Sequence, residues 1–249
     1  MSTSRDDATQ TVVDTLKQAR SVVVLTGAGV SAESGVPTFR DAQTGLWAHH
    51  KAEDIATPEA FASDPLFAWN WYRWRRSLVA QAEPNAGHYA LAQMATLVPN
   101  LTLITQNVDG LHAAAGSESV IEFHGNLFDD RCDSCGVRSR ATQHEPLDAP
   151  PTCNRCGVIL RPGVVLFGEL IPESLLRRST QAAQHCDVFL SVGTSSLVYP
   201  AASLAKTALS AGASVVEINM EPTPLSGVAD AAIYAPSASV LPALVAALQ

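Results

Sequence analysis

The chain has 249 residues, 47% of them hydrophobic and 16% charged, which is enough apolar material for a large buried core and excludes a disordered protein. With 24 acidic against 16 basic residues the formal charge is -8, which argues against a partner bound through nucleic-acid phosphates. No apolar run reaches the ~18 residues of a membrane helix, and the polar stretch 1–10 lacks the layout of a secretion signal, so a cytoplasmic location is expected.

In chain order, Val12, Val13, Leu16 and Ala19 recur at helical spacing, which predicts an amphipathic helix from about Asp7 to Arg20. Ser21 to Thr26 is a β-branched run ending at Gly27-Ala28-Gly29, the profile of a buried parallel strand entering a phosphate-type turn. Further strands are expected at Leu101–Thr105, Val188–Val192 and Val215–Ile218, with helices at Gly87–Leu97, Ser174–Gln184 and Ala201–Ala211 between them. That alternation predicts an α/β, doubly wound parallel sheet.

Two stretches break the alternation. Gly35 to Ala82 holds a Pro/Gly-rich loop and an aromatic helix expected over Pro65–Ala82; Phe128 to Leu166 holds four cysteines among prolines. Both read as insertions that build a smaller lobe. The expected division is a large domain from 1–34, 83–127 and 167–249, a cofactor loop and helical module at 35–82, and a zinc-ribbon module at 128–166.

Cys132-x2-Cys135, 17 residues, then Cys153-x2-Cys156 puts two thiolate pairs on tight turns, each followed by a glycine. Four sulfurs close a tetrahedron with no open position, so a structural zinc ion is expected. Cys186 stands alone in an apolar segment and reads as packing.

At Gly27-Ala28-Gly29 the lack of side chains is expected to let main-chain N–H groups approach a pyrophosphate. The segment continues through Ala32 to Thr38-Phe39-Arg40, combining small residues with an aromatic and a cation. Three more polar groups sit where strands are expected to end: Gln106-Asn107-Val108-Asp109, Gly193-Thr194-Ser195 and Asn219-Met220-Glu221. Their hydroxyl, amide and carboxylate groups suit ribose hydroxyls and a carboxamide, and strand ends are where such sheets bind ligands. Each taken alone also reads as a helix cap or turn. Of the seven histidines, His124 stands out only by lying just ahead of the cysteine insertion, at the junction of the two lobes, where an imidazole can take a proton near neutral pH.

Together GAGVSAESGVPTFR, QNVD followed by GLH, FHG, the cysteine ribbon, VVLFGE, GTS and NME resemble the sirtuin family of NAD-dependent protein deacylases, from about Val22 to the C-terminus. The resemblance implies a Rossmann-type large domain, a small zinc domain and NAD in the cleft between them. It implies that Gly27 to Arg40 form the cofactor loop and that Gln106, Asn107 and Asp109 hold nicotinamide and its ribose. His124 would then be the general base, and Gly193, Thr194, Ser195, Asn219, Glu221 and the main chain of Ser237 would bind the adenosine half. Val164 to Gly168, with Val165, Phe167 and Gly168, would pair with the substrate main chain as an added strand. The products implied are free lysine, nicotinamide and O-acyl-ADP-ribose, and the partners are acyl-lysine proteins acted on by a monomer.

Tyr72 and Arg75 lie three residues apart on the aromatic helix and so share a face. A surface helix with an ordinary arginine is one reading of them. The other is the resemblance of this segment to sirtuins that remove malonyl, succinyl and glutaryl groups, in which a Tyr and an Arg receive the acyl carboxylate. A guanidinium binds a carboxylate bidentately, whereas an acetyl group leaves it without a counter-charge. In the same resemblance Ala52 makes room for the longer acyl chain, and Thr38 replaces an Asp common elsewhere in the family. Leu166 replaces a frequent Trp. Deacylation of acidic acyl-lysines, with deacetylation beside it, is the leading expectation; ADP-ribosyl transfer or a non-catalytic NAD or ADP-ribose sensor are the alternatives.

Overall fold

The structure is a computed structural model that describes residues 5–36, 51–141 and 148–249. Its elements are α1 (Arg5–Gln18), β1 (Ser21–Thr26), α2 (Ala28–Ala32), α3 (Ala52–Ile55), α4 (Pro58–Ser63), α5 (Pro65–Val79), α6 (Ala86–Leu97) and β2 (Asn100–Thr105). There follow α7 (Leu111–Ala114), β3 (Ile121–Glu122), β4 (Gly125–Arg131), β5 (Arg138–Arg140), β6 (Arg161–Val164), α8 (Glu173–His185) and β7 (Val188–Val192). The chain ends with α9 (Ala202–Ser210), β8 (Ser214–Asn219), β9 (Ala231–Tyr234) and α10 (Ser237–Leu248).

Six strands form a parallel sheet in the order β3-β2-β1-β7-β8-β9. The strand residues sort themselves between its faces by the two-residue period of a strand. Val22 and Val24 of β1, with Val188, Leu190 and Val192 of β7, face a core shared with α1, α6 and α10. Val23, Leu25 and Phe189 face the opposite core, with α8 and α9. Layers on both faces explain why these strands read as unbroken apolar runs. This is the doubly wound α/β sheet expected from the alternation.

A second, three-stranded antiparallel sheet, β5-β4-β6, carries the cysteine turns. It begins at Gly125, three residues before the expected insertion, because β4 runs directly on from the turn that follows β3. The helices beside it are set by local chemistry. Thr57 caps α4 by accepting the Ala60 N–H at 3.1 Å, and Asp64 caps α5 by accepting the Phe67 N–H at 2.9 Å, each followed by proline at the first helical position. α5 stops at Val79, short of the expected Ala82.

That helix is not a surface helix. Trp69, Trp71, Tyr72, Arg75 and Arg76 are all buried in a core of their own with Leu127, Leu160, Val164 and Leu166. Trp69 Nε1 donates to the Leu160 carbonyl at 2.8 Å, and Arg76 donates to the Leu127 carbonyl at 2.7 Å and pairs with Asp130 at 2.5 Å. These bonds fasten the helix to the small sheet. Among the described residues no helix is long and apolar enough to cross a membrane.

Candidate active site

The strand order reverses direction on either side of β1 and β7, and ligands bind such sheets at the crevice beyond that switch point. A cavity of about 820 Å³ opens there. It is lined by Gly27, Ala28 and Gly29 after β1; Gln106, Asn107 and Asp109 after β2; Gly193, Thr194 and Ser195 after β7; and Asn219 and Glu221 after β8. From the small sheet and its helices come His124, Val165, Phe167, Gly168, Tyr72 and Arg75. Residues far apart in sequence are thus brought to one concave surface.

Not every expected residue reaches it. Ala32 falls at the end of α2 and Ser237 starts α10, where its hydroxyl donates to Glu33 at 3.3 Å; neither is among the residues lining the cavity. Thr38, Phe39 and Arg40 lie outside the described residues, as does the side chain of Ala52.

The two glycines also join the ends of two strands. The Gly27 N–H donates to the Val192 carbonyl at 3.0 Å and the Gly29 N–H to the Gly193 carbonyl at 2.8 Å. A Cβ on either residue would come within 2.8 Å of the Gly193 main chain. Their smallness lets the ends of β1 and β7 touch, and their donors are spent inside the protein, because α2 begins at Ala28 and folds this segment against β7.

Beneath the cavity lies a buried polar network. Asn107 Nδ2 donates to the Gly27 carbonyl at 3.0 Å and to Ser31 Oγ at 2.9 Å, and Ser31 in turn donates to Asp109 Oδ2 at 2.7 Å. Asp109 Oδ1 accepts the Leu111 N–H at 2.9 Å. Each amide and carboxylate is therefore held in one orientation. Ser31 and the two histidines behind it were missed in the sequence. His88 approaches Ser31 at 3.5 Å, and its ring lies 4.8 Å from that of His112. His88 Nδ1 also accepts the Asn85 N–H at 3.2 Å, the unusual histidine arm of a capping box that starts α6. The only signal for this group was polar residues within apolar helical faces.

His124 is oriented by the segment that follows β2. Its Nδ1 lies 2.9 Å from the Gln106 carbonyl, which can only accept, so Nδ1 carries the proton and Nε2 is left as the acceptor. Burial lowers its pKa below the ordinary histidine value, more than the Gln106 carbonyl raises it. The ring is accordingly neutral at pH 7 and fit to receive a proton.

Tyr72 and Arg75 also line the cavity and are 3% and 6% exposed, so both reach it from within the core. The Arg75 guanidinium sits 5.4 Å from the centre of the Trp71 ring. Burial pulls the Arg75 pKa down while Tyr72 opposes that shift, and burial pushes the Tyr72 hydroxyl well up, so the phenol stays protonated as a donor.

The four sulfurs of Cys132, Cys135, Cys153 and Cys156 lie within 4.8 Å of one another. Cys132 and Cys156 are 3.4 Å apart and Cys135 and Cys153 3.5 Å apart, close to the edge of about 3.8 Å that Zn–S bonds of about 2.3 Å require of a tetrahedron. The donor set fits a structural zinc ion. Cys186 is buried away from them, and burial raises its thiol pKa to about 11, in keeping with a packing role.

The model of the Sir2 family matches residues 27–200, which contain most of this site, and the chain belongs to that family. It is 47% identical over 241 residues to a protein of Methylococcus capsulatus named NAD-dependent protein deacylase, covering 94% of each. It is 49% identical to NAD-dependent protein deacylase 2 of Pyrobaculum aerophilum, covering 94% of this chain and 93% of that one. Among solved structures, a Sir2 homologue in complex with NAD superposes with a TM-score of 0.91 at 42% identity, over 96% of this chain and 93% of that one.

Proposed function

We propose that this chain is an NAD-dependent protein deacylase whose substrates are acyl-lysines, with preference for acyl groups that end in a carboxylate, such as succinyl and malonyl. Bound NAD would supply the ribose that takes the acyl group as nicotinamide leaves, with one water consumed in cleaving the lysine amide. Free lysine, nicotinamide and O-acyl-ADP-ribose are the products. The observation that carries the preference is that Tyr72 and Arg75 line the same cavity as His124, Asn107 and Asp109. A buried guanidinium favours a ligand that brings a compensating negative charge, and a neutral acetyl group does not.

The remaining roles follow from where the side chains sit. Asn107 and Asp109, fixed through Ser31, present an amide and a carboxylate suited to a carboxamide and ribose hydroxyls. His124 Nε2 accepts the ribose proton. Gly193, Thr194, Ser195, Asn219 and Glu221 line the cavity at the ends of β7 and β8, where this reading puts the adenosine half. Zinc holds the cysteine turns and leaves the chemistry to the cavity. In this reading residues 1–34, 83–127 and 167–249 form the NAD-binding domain, with 35–82 and 128–166 forming the smaller lobe above it.

A panel of peptides carrying acetyl-, malonyl-, succinyl- and glutaryl-lysine, assayed with and without NAD, tests both parts. NAD-dependent removal of the acidic groups at least about tenfold faster than acetyl is expected. Equal rates on acetyl and acidic peptides would sink the preference; no NAD-dependent turnover of any peptide would sink the activity.

A further inference from the structure

The segment after β6 borders the cavity, and its main chain is tied down at every step. Val165 N–H donates to the His124 carbonyl at 2.8 Å, and Phe167 N–H donates to the Ala56 carbonyl at 2.8 Å. Between them, Leu166 N–H donates to a side chain: Glu169 Oε2, at 2.9 Å. The Leu166 carbonyl accepts the Glu169 N–H at 3.0 Å, so pairing of this segment with a substrate main chain falls to the carbonyls of Val165 and Phe167, whose direction these bonds set.

Glu169 is itself held from behind. Arg161 Nη1 lies 2.8 Å from Glu169 Oε1, and Arg131 Nη2 lies 3.1 Å from the same oxygen. Both arginines also reach Asp133, inside the first cysteine turn: Arg161 at 2.8 Å and Arg131 at 3.0 Å. Burial works to raise the Glu169 pKa, yet Arg161, the Leu166 N–H and Arg131 together outweigh it and keep the carboxyl below its ordinary range. The carboxylate links two parts of the small lobe: Oε1 receives both arginines, and Oε2 takes the Leu166 N–H together with a second contact from Arg131 Nη2 at 3.2 Å.

We propose that Glu169 is a positioning residue for substrate. Its carboxylate fixes the Val165–Phe167 segment in the register that receives the acyl-lysine peptide, and Arg131 and Arg161 hold that carboxylate against the Cys132–Cys135 turn. The proposal rests on the deacylase reading for its substrate but not for its geometry. Glu169 touches no reacting group, so its loss should weaken peptide binding and spare the chemical step.

Glu169→Gln and Glu169→Ala, each zinc-loaded, are compared with the unaltered protein in two measurements. The first is steady-state kinetics with the best peptide of the panel. Peptide KM is expected to rise about tenfold in Glu169→Gln and further in Glu169→Ala, the scale of a lost charge-assisted contact. At saturating peptide, kcat and the KM for NAD should stay within about twofold, as expected when only ground-state binding is lost. The second is hydrogen exchange at the Leu166 amide, expected to accelerate in Glu169→Ala while amides of β1 and β7 keep their protection. The proposal needs both results. An unchanged peptide KM, a loss confined to kcat, or unaltered Leu166 exchange overturns it. Failure of both variants to fold also overturns it, by assigning Glu169 to general stability. If the unaltered protein turns over no acyl peptide, the deacylase reading fails, and exchange at Leu166 alone then decides the role of Glu169.

Discussion

His124 Nδ1 and the carbonyl of Gln106 are 2.9 Å apart, and this one bond determines which ring nitrogen is a base. The carbonyl belongs to the strand-end segment that also carries Asn107 and Asp109, so the base and the groups proposed to hold the ribose move together. Burial lowers the His124 pKa, so the ring stays neutral to a lower pH than a free imidazole. The acid limb of kcat/KM should fall below pH 6.5, the ordinary histidine value. His124→Ala should cut deacylation by a factor of about 100 or more, with the melting temperature little changed. Full activity in that variant would place the base elsewhere.

Arg75→Met keeps much of the side chain's volume and removes its charge. Activity on a succinyl peptide should fall about 10- to 100-fold in kcat/KM, while acetyl-peptide activity holds or improves, because a neutral acyl group then meets an apolar side chain in place of a desolvated cation. The ratio of the two rates in one enzyme preparation is the measurement. Parallel losses on both peptides would remove Arg75 from acyl selection.

How far these features can be read from the sequence depends on the range of the interaction. β1 and β7 match their expected bounds because β-branched and apolar runs end at Gly27 and Gly193, where the backbone changes course. Tyr72 and Arg75 were legible as a pair because the helical period is local. The burial of α5 was not, since what covers it lies on β4 and β6, more than fifty residues away. Ser31 and Asp109 are 78 residues apart, and nothing near either one signals their bond. β9 was missed because Ala231-Ala-Ile-Tyr234 is short and half alanine. The final helix was missed because Pro242 interrupts its interior and few polar residues mark an outer face.

The contact between Gly29 and Gly193 gives a third prediction. Gly193 has φ +60, in the left-handed region, and a Cβ there would meet Val30 N at 2.6 Å. Gly193→Ala combines a strained backbone with a collision against main chain that is itself hydrogen bonded. It should destabilise the fold by more than about 2 kcal/mol, seen as a lower denaturant midpoint. Gly35→Ala offers a contrast, because its Cβ would meet nothing within 4 Å among the described residues although its φ is +78. That variant should lose only about 1 kcal/mol from strain. Equal losses in the two would mean that strain, and not the closeness of β1 to β7, explains the glycine.

Four thiolates with no open coordination position make zinc part of the fold. The turns they close carry Asp133 and lie against the core that holds Trp69 and Tyr72. Chelation, or Cys153→Ala, should lower the melting temperature by several degrees and broaden the transition as the small sheet loosens ahead of the main one. Metal content measured alongside the melt decides it: an unchanged transition after verified zinc loss would exclude a structural role.

The histidines whose pKa values are lowered by burial make stability depend on pH below neutrality. His112 Nε2 lies 2.9 Å from Thr26 Oγ1, which itself donates to Thr105, so the histidine must be the donor in that bond. Its Nδ1 is buried with no hydrogen-bond partner among the described residues, and there a proton would add an unsolvated charge beside His88. Burial, with His88 adding to it, lowers the His112 pKa to about 3, and His88 and His124 are lowered as well. The unfolded chain takes up these protons below pH 6.5 and the folded chain does not, so acid favours unfolding. Stability should hold at neutral pH and fall as pH drops from 6.5 toward 5, by up to about 1.4 kcal/mol per pH unit for each histidine fully titrating in the unfolded state alone. His112→Gln should be less stable at pH 7 and show a shallower slope across that range in urea melts. A slope identical to that of the unaltered protein would mean that His112 titrates alike folded and unfolded, and the acid sensitivity would then belong to His88 and His124.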